Sequence, residues 1–297
     1  LTTLLANTCR SLDKADYRIL RLLDRLLAQY EYVPVEIIER RTKIPPKVLA
    51  KRLDKMHKLK VIARSPAPRL GYRLTYLGLD CLTIRTLVDR NVITHLGPQI
   101  GMGKESEIYL AKNAEERIVA LKLYKIGRVS FQKVVRVRDY LTDEVNWLIR
   151  SKVAAEREYK ALLDLRKYTR YVPEAFGWNR HAVVTEFING IELYRYREAN
   201  DPLNMLRKIL EVIRVAYNNV GIVHGDLSEY NVIVDVEAGE IPYIIDWPQY
   251  VYRDDPRAPE LLRRDTHYVV KFFKRRYGVE LDVDQALRYV KGETDEI

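Results

Sequence analysis

The chain has 297 residues, 47% of them hydrophobic and 31% charged, and a net charge of +10. That composition suits a globular protein of about two domains. No apolar stretch approaches the roughly 20 residues of a membrane span, the first residues lack the charged-then-apolar pattern of a secretory signal, and Cys9 and Cys81 are too few and too far apart in sequence for a disulfide framework or zinc site. A cytoplasmic protein with buried or idle thiols and no membrane partner is expected.

The charge is uneven. Residues 1–95 hold 19 Lys+Arg against 9 Asp+Glu, whereas the remainder holds 32 of each. The entire surplus therefore sits in the N-terminal third, which points to a polyanionic partner for that segment.

In chain order, residues 13–29 place Ile19, Leu22, Leu23, Leu26 and Leu27 at helical spacing. A short helix around Val35 to Arg41 follows Pro34, and a third opens at the Pro45-Pro46 pair and runs to Lys58. In that third helix Leu49, Leu53, Met56 and Leu59 make an apolar stripe, while Lys47, Lys51, Lys55 and Lys58 fill another face. VIARSPAPRLGYRL reads as two short strands around a turn containing Pro66, Pro68 and Gly71, and Leu77 to Asp89 as a further helix. This order describes a winged helix-turn-helix over residues 1–90, with Lys47 to Lys58 in the recognition position and residues 65–71 as the wing. Lysines neutralise phosphate without reading bases, so nucleic-acid backbone is the expected contact.

From about residue 92 the pattern turns to strands: NVITHLGPQIG, SEIYLAKN and RIVALKLYK. Residues 126–152 fit no clean period and are expected to form a loop. A helix over 153–167, strands near 181–187 and a helix over 202–219 follow. The segment GIVHGDLSEYNVIV (221–234) comes next, its apolar run broken by His224, Asp226 and Asn231.

The chemistry concentrates in that segment. Asp226 is followed five positions later by Asn231, and IPYIIDW delivers Asp246 from the end of a strand. Asp, Asn and Asp at these intervals resemble the protein-kinase catalytic loop and its metal-binding aspartate. Phosphoryl transfer needs hard oxygen ligands for magnesium, which Asn231 and Asp246 offer, and a carboxylate beside the nucleophile, which Asp226 offers. Upstream, GMGKES places Gly101, Gly103, Lys104 and Ser106 between two strands, a G-x-G-x-x-S loop whose amides suit phosphates. It is not a Walker A motif, because Pro98 stands where the first glycine belongs. Lys122 leaves the third strand on the face opposite Val119, Leu121 and Leu123, and Glu158, or alternatively Glu156, is the carboxylate expected to hold it.

Together, GxGKES, the strand lysine, HGDLSEYN and IDW resemble the RIO-type atypical protein kinases, and a winged helix ahead of them resembles their type-2 subfamily. NRHAVVTEFING, GRVSFQ and ELLRRDTHYVVKFFKRR extend the resemblance over nearly the whole chain. It implies an α+β fold: the winged helix, then a trimmed two-lobed kinase domain over 91–297. Its N-lobe of antiparallel sheet plus helix would span about 91–187, the hinge 186–190, and the mostly helical C-lobe 191–297.

It implies ATP and Mg2+, with Mn2+ as a substitute. Ser106 and Lys122 would touch the phosphates, Glu186 to Ile188 the adenine, Asn231 and Asp246 the metal, and Asp226 would be the base. It further implies serine/threonine kinase or ATPase action on the maturing small ribosomal subunit, with its rRNA and its ribosomal or assembly-factor proteins as partners, autophosphorylation, and a phospho-aspartate at Asp246.

Gly225 stands where ordinary kinases carry the arginine that reads a phosphorylated activation loop, and Pro259-Glu260, preceded by Ala258 as in an A-P-E motif, comes soon after Asp246. A full activation loop is therefore not expected. The competing reading is a small-molecule phosphotransferase of the aminoglycoside or choline kinase type, which shares HGDLxxxN and IDW but has no need of a basic N-terminal domain.

Overall fold

The computed structural model describes residues 4–66, 69–127 and 140–297, the last segment with side chains from Asn146 onward. Pro68 in the wing and Ser130 in GRVSFQ lie outside the described residues. The chain divides into two compact units, Leu1–Ala155 with Gly177–Val184, and Glu156–Phe176 with Thr185–Ile297.

The first unit opens with α1 (Leu4–Arg10), α2 (Lys14–Arg25), β1 (Val33–Pro34), α3 (Val35–Thr42) and α4 (Pro46–Lys58), then β2 (Ile62–Arg64), β3 (Gly71–Leu74) and α5 (Tyr76–Asp89). Asp13 caps α2 by accepting from the amides of Ala15 and Asp16, and Asp16 returns a bond to the Asp13 amide. Such a capping box satisfies donors the helix start leaves unpaired. Ile19, Leu20, Leu23, Ile38, Leu49, Leu53 and Met56 are buried between these helices, and the strands pair in the order β1-β3-β2. This is the winged helix-turn-helix.

The lysine face of α4 is not uniform. Lys55, part-exposed, donates to the buried Asp16 at 2.7 Å and to the Ser11 carbonyl, while Lys58 pairs with Asp54. A buried carboxylate recruits whichever cation reaches it, and Asp16 draws both Lys55 and Arg52.

The same unit holds β4 (His95–Met102), β5 (Ser106–Lys112) and β6 (Ile118–Tyr124), followed by α6 (Tyr140–Leu165), β7 (Ala175–Asn179) and β8 (Ala182–Glu186). The sheet order is β4-β5-β6-β8-β7. Residues 140–152, expected as a loop, are instead the first half of α6. That helix is held by contacts no period announces: Leu148 is buried, Ser151 accepts the Ile126 amide, and Lys152 pairs with Asp24 at 2.6 Å. Strand β7 was also not anticipated.

Winged helix and sheet are joined by buried charge. Asp80 of α5, 1% exposed, lies 2.9 Å from Lys125 and 2.8 Å from the His181 ring, and Lys125 reaches Glu107 of β5 at 2.7 Å. Asp24 of α2 likewise takes Arg180 at 2.8 Å beside Lys152. Cys9 and Cys81, separated in sequence, meet across α1 and α5 with their sulfurs 2.7 Å apart as free thiols.

In the second unit α6 continues from Glu156, followed by β9 (Ile191–Glu192), α7 (Pro202–Val215), a π-helical turn (Ala216–Val220), β10 (Ile222–Val223), a 3-10 turn (Glu229–Asn231), β11 (Val232–Asp235), β12 (Ile241–Ile244), β13 (Val251–Tyr252), α8 (Ala258–Tyr277) and α9 (Val283–Lys291). α7 therefore stops short of the expected 219, passing through the π turn to Gly221 at φ 78°, a conformation glycine adopts without strain. One apolar core joins Leu162 and Leu165 of α6, Leu206, Ile209 and Leu210 of α7, Val269, Val270 and Phe273 of α8, and Leu287 and Val290 of α9. At about 1.5–3 kcal/mol for each such side chain, this burial carries the unit. No helix among the described residues is long and apolar enough to cross a membrane.

Candidate active site

The residues that the sequence nominates for the chemistry fall in two sets, one in each unit. In the first unit the glycine motif is the hairpin turn between β4 and β5, closed by the Gly103 amide donating to the Ser106 carbonyl at 2.8 Å. Lys104 stands exposed at its tip. Registers Gly101↔Ile108 and Ile108↔Lys122 put these three residues in one row across three strands. Residues directly opposite share a face of the sheet, so Lys122 lies on the face that Gly101 leaves bare. Its ammonium sits 4.7 Å from the Tyr124 ring centroid, while Val119, Leu121 and Leu123 are fully buried on the other face.

In the second unit the decisive element is the β11–β12 hairpin. Val232 pairs with Ile244, and beyond that pair the Ile245 amide donates to the Asn231 carbonyl at 2.9 Å. Asn231, just before β11, and Asp246, just after β12, are therefore brought to the same end of one hairpin. The Asn231 side-chain oxygen accepts from the Ser228 hydroxyl at 3.2 Å. Asp246 has φ 68°, in the left-handed region that is uncommon for non-glycine residues.

The loop bearing Asp226 is fixed through its backbone. Gly225, at φ 81°, donates its amide to the buried Asp265 of α8 at 2.7 Å, and Arg264 binds the Gly225 carbonyl. A Cβ at Gly225 would lie 3.0 Å from the Gln249 carbonyl, a second reason for glycine there. His224 bonds the Ile245 carbonyl at 3.1 Å and packs on Trp247, ring centroids 4.6 Å apart. The His224 ring is thereby a prop, and Asp226 stands exposed at the end of this scaffold. Burial holds the Asp265 carboxyl above its ordinary pKa even though His224, the Gly225 amide and Arg264 oppose it.

Of the remaining sequence candidates, Glu158 is buried on α6 in the second unit at 3% exposure. Glu186 ends β8 in the same unit; its amide donates to the Glu174 carbonyl, and its carboxylate takes the Glu174 amide at 3.1 Å. The Ile188 carbonyl accepts the Gly190 amide. Gly190 is obligatory in its place, since a Cβ would come within 2.4 Å of the Val234 carbonyl. Sequence reasoning assigned no role to Asp265, Arg264 or Arg157. The first two lie in the quoted RRDTHY, where an aspartate on the core side of an apolar helix was the available signal.

A strand lysine with a glycine hairpin in one unit, and an Asp-Asn-Asp set on a braced loop and hairpin in the other, define a phosphotransferase of the protein-kinase class. The family profile described as RIO domain matches residues 107–286, and that described as Rio2, N-terminal matches residues 9–90. The RIO-type serine/threonine-protein kinase Rio2 of Methanocaldococcus jannaschii is 34% identical over 275 residues, covering 89% of this chain and 99% of that protein. The serine/threonine-protein kinase rio2 of Dictyostelium discoideum is 33% identical over 271 residues, covering 91% of this chain, which spans 51% of that longer relative. Among solved structures, the Rio2 kinase of Chaetomium thermophilum in an ADP/Mg2+-phosphoaspartate complex superposes with a TM-score of 0.81 at 28% identity, covering 94% of this chain and 87% of that one. The chain belongs to the RIO family of protein kinases, and its fold is the α+β combination of a winged helix with a two-lobed kinase-like domain.

Proposed function

We propose that the protein is an ATP- and magnesium-dependent serine/threonine kinase and ATPase of the cytoplasm, acting in small ribosomal subunit maturation and docking on pre-ribosomal RNA through its winged helix. The observation that carries the enzymatic part is the β11–β12 hairpin, whose one end holds both Asn231 and Asp246. An amide oxygen and a carboxylate are the hard donors Mg2+ takes, its remaining positions being filled by phosphate and water, and Mn2+ suits the same all-oxygen set. Bound there, the metal would offset charge on the transferring phosphate.

Around it, Asp226 accepts the proton of the attacking hydroxyl, Lys122 and the Ser106 hairpin hold phosphate, and the segment Glu186 to Ile188 receives the adenine. A phosphoryl group passed to the Asp246 carboxylate with departure of ADP, then lost to water, would make the protein an ATPase. The Chaetomium thermophilum complex, with its phosphoaspartate, supports this route. Ribosomal or assembly-factor proteins are the expected partners and substrates.

For the RNA, support comes from the basic surplus of residues 1–95 and from Lys47, Lys51 and Lys58 standing exposed on α4. Binding through these lysines should weaken steeply with salt, with a log-log slope of about −0.7 to −0.9 per phosphate.

The test is incubation with γ-labelled ATP. Asp226→Ala should lower phosphate transfer about 100-fold or more, and hydroxylamine-labile label lost in Asp246→Asn identifies the phospho-aspartate. Wild-type turnover in Asp226→Ala would overturn the role given to that carboxylate.

A further inference from the structure

We infer that Arg157 is a positioning residue for the metal-binding aspartate, doing by permanent contact what a phosphorylated activation loop does in kinases that carry one. The inference rests on the proposed role of Asp246 in holding magnesium.

Asp246 sits in a left-handed backbone conformation, uncommon for a non-glycine residue, and contacts on both flanks hold it there. On the near flank, Trp247 is buried, its indole N–H donating to the Ile244 carbonyl at 3.1 Å and its ring lying against His224. On the far flank the anchor is Arg157 of α6. Its Nε donates to the Pro248 carbonyl at 2.8 Å, a terminal nitrogen donates to the Tyr250 carbonyl, and the guanidinium centre lies 4.0 Å from the centroid of the buried Tyr250 ring. Tyr250 in turn meets Tyr252 edge-on at 5.4 Å. One side chain therefore satisfies two carbonyls and stacks on a ring, a task suited to the planar, five-donor guanidinium and beyond a lysine.

The need for such an anchor is visible in the sequence. Gly225 stands where ordinary kinases carry the arginine that reads a phosphate, and α8 begins at Ala258, soon after Asp246, so no long segment intervenes. Because Arg157 is adjacent to Glu158, the same turn of α6 carries both the anchor and the carboxylate expected to hold the lysine. The loop after Asp246 is thus tied to α6 without modification of either.

The experiment measures binding of Mn2+, a spectroscopically visible stand-in for Mg2+, to the full chain saturated with ADP, by electron paramagnetic resonance, alongside metal-free ADP affinity and melting temperature. Arg157→Met should weaken metal binding about tenfold or more, the range for loss of an outer-shell support, with ADP affinity retained. Arg157→Lys should recover part of the loss, and Tyr250→Leu, which keeps both carbonyls, should lose least. Wild-type metal affinity in a folded Arg157→Met overturns the inference, as does an equal loss of metal and metal-free ADP binding that Arg157→Lys does not rescue. A wild-type protein that binds Mn2+ with ADP but never turns over ATP counts against the proposed function, and leaves the comparison with Arg157→Met to decide the inference.

Discussion

Each unit buries an aspartate that organises it, Asp80 in the first and Asp265 in the second, and the two are compensated to different degrees. Asp80 in the first unit is 1% exposed and faces a full cation, Lys125, and the His181 ring. Burial alone would raise its pKa, yet Lys125 and His181 hold it below the ordinary carboxylate value. Asp265 in the second unit, 0% exposed, accepts the Gly225 amide at 2.7 Å and a guanidinium N–H of the part-exposed Arg264 at 3.2 Å, and there burial prevails and holds its pKa up. A close, buried countercharge compensates lost water, whereas an amide and a longer, more exposed ion pair compensate it in part. The first aspartate is a structural joint between winged helix and sheet. The second fixes a loop backbone so that its neighbour Asp226 keeps its place.

The sharpest way to break the comparison is at Asp80. Asp80→Ala leaves Lys125 with Glu107 alone and removes the His181 partner, and should cost about 3–5 kcal/mol, the usual penalty for breaking a buried pair. Thermal or denaturant unfolding measures it, and a loss below 1 kcal/mol would mean that Glu107 suffices. Next in size, Asp265→Ala strands the Gly225 amide and should cost about 1.5–3 kcal/mol, with ATP turnover falling more than tenfold as the Asp226 loop loosens. Asp265→Asn keeps the acceptor without the charge and should leave stability nearly unchanged, whereas Asp80→Asn should still destabilise. Equal responses of the two Asn variants would erase the distinction.

The smallest effect is with pH. Burial pushes the His181 ring below its ordinary pKa of 6.5, with Asp80 opposing. The unfolded chain therefore takes up a proton that the folded chain refuses, so stability is present above about pH 6.5 and declines below it, at most about 1.4 kcal/mol per pH unit per proton. Asp80, whose folded pKa is depressed, adds its own loss below about pH 4. Unfolding curves should show lower stability at pH 5.5 than at pH 7.5 in the wild type, and a smaller difference in His181→Gln. For Asp265 the sign reverses: its raised folded pKa makes the ionised form the costly one as pH rises above about 4.

Much of the fold was legible in the sequence because it obeys local rules. The spacing of Ile19, Leu22 and Leu23 announced α2, Pro46 announced α4, and the alternation Val119, Leu121, Leu123 announced a strand with Lys122 facing the other way. The first half of α6 was not legible, since Ser151 and Lys152 find their partners at Ile126 and Asp24, far off in sequence. Strand β7 escaped for a similar reason: AFGWN has no alternation to read, and Gly177 is required by the close approach of Val92. The meeting of Cys9 with Cys81 belongs with these.

The sequence by itself determined the residue types proposed for the chemistry and the order in which the chain presents them: a glycine turn, a strand lysine, and Asp226, Asn231 and Asp246 at fixed intervals. Spacing is a local property, and local geometry follows from it. Tertiary structure alone decided what holds those residues still: Asp265 beneath Gly225, Arg157 on the carbonyls beyond Asp246, and Asp80 between Lys125 and His181. These are contacts between buried polar groups distant in the chain. Whether such a group is braced or stranded depends on the partner the fold delivers, which no window of neighbouring residues contains.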